Sequence, residues 1–276
     1  MINLAKAIEK GLDKHEGEHE WDESRIHISD LAVGLEELSE KKCPLQLWLR
    51  YNHYHKKENN AGTKLMFQQG NNLHELVAEL LEEGLPGNWE VVGVEKPVKI
   101  DFITGRYDFQ IKNKDTGKRY IIDFKTVRGN AFGYLHKPKA SHTLQVQSYT
   151  MAENADGGFV LYIDREGQNF VKQFEVKRND VKVQKAINKV KEIRDSERPP
   201  EVLPPKIKIN ENKGDDSVVA KLRWQCRYCN YYGETCDGAI PPEYEEDLGK
   251  VVGHLNDEGE FTEKIDGIAE YLEGVI

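Results

Sequence analysis

Apolar residues first recur at helical spacing around Ile2–Leu12, inside an otherwise charged stretch of 28 residues. They recur again from Ser29 to Tyr54 (Leu31, Leu35, Leu38, then Leu45, Leu47, Leu49), with Pro44 breaking the run. His55–Gly62 is polar, and 64–83 predicts an amphipathic helix stopped by Gly84, Pro86 and Gly87. Strand patterns follow at Glu90–Val94, Val98–Phe102, Arg106–Lys112 and Tyr120–Val127, the last two flanking a turn-rich connection suited to a hairpin. A helix is predicted over 141–153, then a second hairpin from Phe159–Ile163 and Phe170–Val176, then a charged amphipathic helix over Asp180–Ser196. Pro199–Pro205 reads as a rigid linker, 221–240 as a compact cysteine segment, and 241–276 as an acidic tail. This order predicts an α/β core with a mixed sheet flanked by helices. Residues 1–28 are expected as an appendage, 29–240 as the domain and 241–276 as the tail.

Composition changes this picture little, but charge distribution matters. The 276 residues carry 39 basic and 48 acidic side chains, a net charge of −9. The tail from Pro241 holds eleven acids and two lysines, so it alone accounts for that excess. Residues 1–240 are neutral, and a neutral body accommodates a basic groove, so the overall charge does not exclude a polyanionic partner. Apolar pieces such as Gly158–Ile163 are far shorter than the ~18–20 residues of a membrane helix. The amino end lacks the apolar stretch of a secretory signal, and the expected location is the cytoplasm. Within the tail, Ile265, Ile268, Tyr271 and Leu272 have helix-like spacing, which suits docking to a basic protein partner, masking of a groove, or a solvated terminus.

Two groups of residues suggest chemistry. Cys226-x2-Cys229-x6-Cys236 places three thiols in eleven residues, and the fourth, Cys43, lies far upstream. In a reducing compartment such cysteines are expected as metal ligands rather than disulfides. Four thiolates are the ligand set of zinc or of an iron–sulfur cluster. The one-plus-three division staples a remote N-terminal helix to a C-terminal loop, with Trp224 and Tyr228 expected to pack around it.

The second group lies on the first hairpin. Period-two alternation puts Asp123 and Lys125 on one face of a strand and Ile122 and Phe124 on the other, while Asp108 alternates with Tyr107 and Phe109 on the strand before. Two carboxylates bind Mg²⁺ or Mn²⁺ as hard oxygen donors, and a lysine orients water or offsets developing charge. Acid-x-Lys also occurs at Glu40–Lys42, Glu175–Lys177, Asp180–Lys182 and Glu211–Lys213; only Asp123–Lys125 combines an apolar strand with polar inward residues on the flanking helices. His74 sits on the apolar stripe of Val77, Ala78 and Leu81, either as a core histidine or as a metal ligand. Gln145 and Tyr149 are one turn apart on the next helix. Arg106, Tyr107, Tyr149, Arg223, Trp224 and Tyr228 are candidates to stack bases or track a backbone.

Taken in order, Cys43-Pro44, Gly70-x3-His74, Gly105-x2-Asp108, Asp123-Phe-Lys125-Thr126, Gln145-x3-Tyr149 and the Cys226–Cys236 triplet resemble the PD-(D/E)xK nuclease superfamily. Within it the chain is similar to the RecB-like four-cysteine branch, which includes CRISPR-associated exonucleases, the AddB nuclease domain and phage relatives. The resemblance implies a restriction-endonuclease-like core. It makes His74, Asp108, Asp123 and the Phe124 carbonyl metal ligands, Lys125 the catalytic lysine, and Gln145 and Tyr149 DNA-contacting support of the site. Cys43, Cys226, Cys229 and Cys236 become ligands of a structural [4Fe–4S] cluster, with zinc as the alternative. The implied activity is metal-dependent DNA cleavage, commonly exonucleolytic on single strands or ends, in phage recombination, repair or CRISPR adaptation. A non-catalytic DNA-binding subunit of a larger complex is the second reading. Asp123 stands where CRISPR-associated members often have Glu, and no G-x4-G-K-[ST] helicase motif occurs in these residues.

Overall fold

The structure is a computed structural model and describes residues 25–166, 171–210, 216–255, 261–264, 268 and 272. The helical pattern expected at Ile2–Leu12 lies outside them, as do Ile265 and Tyr271. The first elements in chain order are β1 (Ile26–His27), a 3-10 helix (Ile28–Gly34), α1 (Pro44–Tyr51), α2 (Ala61–Gly84), β2 (Trp89–Ile100), β3 (Ile103–Asn113) and β4 (Arg119–Val127). Next come α3 (Gly129–Gly133), α4 (Ala140–Ala152), β5 (Gly157–Asp164), β6 (Val171–Lys177) and α5 (Asp180–Arg194). The last are β7 (Lys206–Asn210), β8 (Asp216–Lys221), α6 (Trp224–Arg227), a 3-10 helix (Pro242–Asp247), β9 (Val251–Leu255) and β10 (Phe261–Lys264). The chain divides into two compact units: residues up to Lys42 with Asn59–Asp195, and Cys43–Glu58 with the chain from Ser196. Among the described residues no helix is long and apolar enough to cross a membrane.

The first unit is built on a six-stranded mixed sheet of order β1-β3-β4-β5-β6, with β2 also paired to β3. The β2–β3, β3–β4 and β5–β6 pairs are antiparallel and β4–β5 is parallel, joined by the crossover through α3 and α4. One core contains Phe109, Ile111, Ile122 and Phe124, against which Val77, Ala78 and Leu81 of α2 pack. A second contains Phe132, Val146, Val160, Tyr162 and Val176. Close approach of α4 to the sheet needs Gly158, because a Cβ there would fall 2.5 Å from Val146 and 2.6 Å from the Ile121 carbonyl oxygen.

Two local expectations are corrected. The strands expected at 90–94 and 98–102 are one continuous β2, whose register shifts between Val91 and Gly93. Pro97 is tolerated because, among the described residues, β2 has a partner on one side only. The apolar spacing from Ser29 to Leu38 yields a short 3-10 helix that ends at Gly34, where a Cβ would meet the Ala186 backbone at 2.9 Å.

In the second unit, β7 to β10 form a four-stranded antiparallel sheet of order β10-β9-β8-β7. The segment after Pro241, expected as an acidic tail, supplies β9 and β10, and Ile268 and Leu272 are helical and fully buried. They pack with Val218, Ala220, Ile240 and Val252. Among the bonds that tie in the 43–58 segment, Lys57 N–H donates to the Asn230 carbonyl at 2.8 Å, Lys57 Nζ to the Tyr232 carbonyl at 3.0 Å, Trp48 Nε1 to the Ser196 carbonyl at 3.0 Å and Thr235 Oγ1 to the His55 carbonyl at 2.5 Å.

Candidate active site

The β3–β4 ladder ends with Phe109 opposite Ile122, and the groups beyond it are released for chemistry. Phe124 N–H, instead of meeting a β3 carbonyl, donates to Asp108 Oδ2 at 2.6 Å. That bond fixes the carboxylate and aims its other oxygen at α2. Asn60 caps α2 by accepting the Thr63 N–H at 2.9 Å, and the Val77–Leu81 stripe seats the helix on the sheet. His74, one turn earlier on that stripe, lies edge-on to Phe124 with ring centroids 6.0 Å apart. Its Nδ1 is 3.5 Å from Asp108 Oδ1 and 3.9 Å from Glu95 Oε1.

Glu95 is the residue that the pattern analysis missed. An acid directly after Val91, Val92, Gly93 and Val94 was the available signal, but the expected strand stopped at Val94. It lies in β2 with φ of +48°, a left-handed conformation that costs a non-glycine residue ~1–2 kcal/mol. Arg106 Nε holds Glu95 Oε2 at 2.6 Å. Donor atoms of His74, Glu95 and Asp108 all fall within 4.8 Å of one another, a spacing suited to a metal ion. The Asp108 and Glu95 carboxylates, by hydrogen bonding, push the His74 pKa up to about 9 against the opposing effect of burial.

Asp123 and Lys125 share a face, as expected: Lys125 Nζ lies 2.8 Å from Asp123 Oδ2. Burial pushes the Asp123 pKa up to about 6, with Lys125 opposing and Asp108 reinforcing. Burial disfavours the Lys125 ammonium, but Asp123 and Asp108 outweigh it and raise the pKa. On α4, Gln145 Nε2 donates to Tyr149 Oη at 3.1 Å. Tyr149 packs so close to β3 that a Cβ at Gly105 would lie 3.0 Å from its ring and 2.8 Å from Ile28, which explains that glycine.

The remaining candidates for strand contact divide sharply. Arg106 is exposed beside Glu95, but Tyr107 is completely buried and offers no face to a base. Arg223 donates to the Pro204 and Pro205 carbonyls and so braces the linker.

One turn before Gln145, His142 Nδ1 lies 2.8 Å from Tyr162 Oη, which also accepts the Lys139 N–H at 2.9 Å. The hydroxyl thus bridges the Lys139 backbone and the His142 ring. Burial, with Lys125 and Lys139 adding repulsion, lowers the His142 pKa to about 3. An unfolded histidine takes up a proton below about 6.5, so this group's contribution to stability is present above that pH. It is lost progressively as pH falls from about 6.5 toward 3, by at most ~1.4 kcal/mol per pH unit. Urea unfolding at pH 7 and pH 5 is expected to show that loss in the wild type and a reduced one in His142→Gln. Equal pH dependence of the two proteins refutes the assignment.

In the second unit, Cys43 immediately precedes α1, and the four cysteines line one small cavity with Gln46, Leu49, Tyr231 and Tyr232. Burial, then backbone hydrogen bonding that opposes it and the neighbouring thiols that reinforce it, leave the Cys226 pKa near about 11. Cys229 and Cys236 are raised in the same way. Backbone N–H groups point at the sulfurs: Ala239 at Cys226, Tyr231 and Tyr232 at Cys229, and Gly238 at Cys236, the last at 3.2 Å. Trp224 and Tyr228, expected to pack here, are exposed; Tyr231 and Tyr232 do so instead.

A mixed sheet whose separating strands present two carboxylates and a lysine, with a histidine entering from a helix, defines a class of phosphodiester-handling proteins. The chain belongs to the PD-(D/E)XK nuclease superfamily, whose model matches residues 74–236. Among solved structures, SSO0001 is 19% identical over 83% of this chain and 93% of its own, with a TM-score of 0.47. The alkaline exonuclease LHK-Exo from Laribacter hongkongensis is 14% identical over 62% and 86%, TM-score 0.45. A phage-related exonuclease from Haemophilus somnus 129PT is 17% identical over 62% and 92%, TM-score 0.41. Comparison with curated proteins finds no match.

Proposed function

We propose that the protein is a divalent-cation-dependent DNA exonuclease of the RecB-like four-cysteine branch, acting on single strands or DNA ends. The observation that carries this reading is the convergence of His74, Glu95 and Asp108 beside the Asp123–Lys125 ion pair, in a chain of this superfamily. The donor set fits Mg²⁺ or Mn²⁺: two carboxylates and an imidazole whose raised pKa reveals an excess of negative charge. His74, Glu95, Asp108 and Asp123 would hold the ion, with the Phe124 carbonyl as a further donor by family resemblance. Bound there, the cation would polarise a phosphoryl oxygen as a Lewis acid.

The chain's own groups do the rest. Asp108 is held rigid by Phe124 N–H, so little reorganisation accompanies binding. Lys125, kept charged by Asp123, places an ammionium-type donor where an attacking water or a developing negative charge would sit. Gln145 and Tyr149 hold the α4 side of the site.

The cysteine cavity fits a metal centre on electrostatic grounds: burial and the neighbouring thiols disfavour the Cys226, Cys229 and Cys236 thiolates, which a shared cation would stabilise, and backbone N–H groups already face the sulfurs. We assign it to a structural [4Fe–4S] cluster on the family resemblance, with zinc as the alternative.

Digestion of end-labelled single- and double-stranded DNA with Mg²⁺ or Mn²⁺ tests the function. Stepwise shortening of labelled strands is expected, reduced about 10²–10⁴-fold in Lys125→Ala. Undiminished cleavage by that variant refutes the site, and DNA binding without cleavage by the wild type favours the binding-subunit reading.

A further inference from the structure

We propose that the segment 128–139, which carries α3 and joins β4 to α4, is a contact element for single-stranded DNA, with Tyr134 as the side chain on which an unpaired base stacks. The inference rests on the nuclease reading and specifies how that site engages its strand.

Three observations carry it. First, Tyr134 is 84% exposed, far more than any buried role allows, and it is displayed by a loop that is firmly held. Lys172 spends its three donors on the carbonyls of Phe132 at 2.6 Å, Leu135 at 3.1 Å and Gly133 at 3.3 Å. Its ammonium also lies 4.8 Å from the centre of the Phe132 ring, which is buried. An aromatic presented on such a base loses little freedom when something stacks on it.

Second, the loop borders the candidate site. It leaves β4 just after Lys125, and at its other end Lys139 N–H bonds Tyr162, the residue paired in register with Lys125 on β5. Third, its charge is complementary to a phosphate chain. Residues 128–139 contain Arg128, Lys137 and Lys139, all exposed, and no acid, in a protein of net charge −9. The carboxylates nearest its two ends, Glu166 and Glu40, accept the backbone N–H groups of Gly129 and Ser141.

An aromatic face beside basic side chains is the combination that binds unpaired strands: bases stack and phosphates are neutralised. In a duplex the base faces are already stacked on each other, so Tyr134 selects unpaired ends.

The test uses the full chain carrying Lys125→Ala, which prevents degradation of the probe. Its affinity for a fluorescein-labelled single-stranded oligonucleotide is measured by anisotropy, with a 2-aminopurine probe reporting stacking. Tyr134→Ala in that background is expected to bind about tenfold more weakly and to lose the 2-aminopurine quenching, while Tyr134→Trp restores both. Thermal unfolding is expected to be unchanged, because the side chain is exposed. Equal affinity and quenching in Tyr134→Ala overturn the assignment of the loop, as does a parent protein that binds duplex only. A parent that binds no DNA overturns the nuclease reading itself.

Discussion

Asp108→Asn is expected to lower divalent-cation-dependent cleavage by about 10³-fold, roughly 4 kcal/mol of transition-state stabilisation. The substitution keeps the size of the side chain, and its amide oxygen still accepts the Phe124 N–H, so the separated ends of β3 and β4 keep their geometry. What disappears is the negative charge on the arm facing His74. Two measurements distinguish this from a folding defect. In a Mn²⁺ titration the variant's activity remains low at concentrations that saturate the wild type, while its urea midpoint at about pH 10, where the His74 contribution has gone from both proteins, stays close to the parent's. In the metal-free protein, the His74 ring titrates well below the value of about 9 that Asp108 and Glu95 impose on it. The sign of the linked stability follows. A histidine whose folded pKa is raised contributes stability below about pH 6.5 and loses it as pH rises through about 9, and the variant loses most of that contribution. Glu95→Gln removes one charged donor and leaves His74, Asp108 and Asp123, and a 10–100-fold weakening of cation dependence is expected. Wild-type activity in Asp108→Asn would take this acid out of the chemistry.

The site's outline was legible because β-strand alternation is a strong rule. Asp123 and Lys125 point the same way because they are two residues apart on a strand whose other face is Ile122 and Phe124. His74 was ambiguous, since an apolar stripe carries core histidines as readily as ligands; the structure places it 3.5 Å from Asp108, which supports the ligand reading. Glu95 could not be placed by periodicity at all, because a left-handed residue after a register shift does not obey it. The second sheet escaped notice for a different reason. Val218, Val219, Val251 and Val252 lie in strands of five or six residues, interrupted by the cysteine segment and outnumbered by the acids after Pro241. Charge counting left that stretch as a solvated terminus or a docking segment, although Ile268 and Leu272 are fully buried against the second unit's own core. Tyr107 was misjudged because an aromatic next to Asp108 in sequence suggested base stacking, whereas strand alternation turns its ring into the interior, 6.3 Å from that of Tyr149.

Cys43→Ala is expected to be more damaging to stability than any substitution around Asp108. The cysteine immediately precedes α1, and the other three thiols lie beyond residue 220, so a centre bound to all four closes a chain segment of well over a hundred residues. Structural metal sites contribute on the order of 10 kcal/mol to folding, more than a domain's net stability. Without a bound centre, the cavity holds several buried thiols whose raised pKa values keep them protonated at neutral pH. The second unit then depends on the small core of Val218, Ala220, Ile240, Val252, Ile268 and Leu272, and on the few bonds from Lys57 and Trp48. Protein purified anaerobically is expected to contain iron and to absorb near ~400 nm, whereas Cys43→Ala loses both and is cut by protease at 43–58 and after Ser196. A colourless wild type with one zinc per chain would replace iron by zinc and leave the stability argument intact. Cys43→Ala with unchanged metal content and protease resistance would show that these thiols are packed side chains and no more.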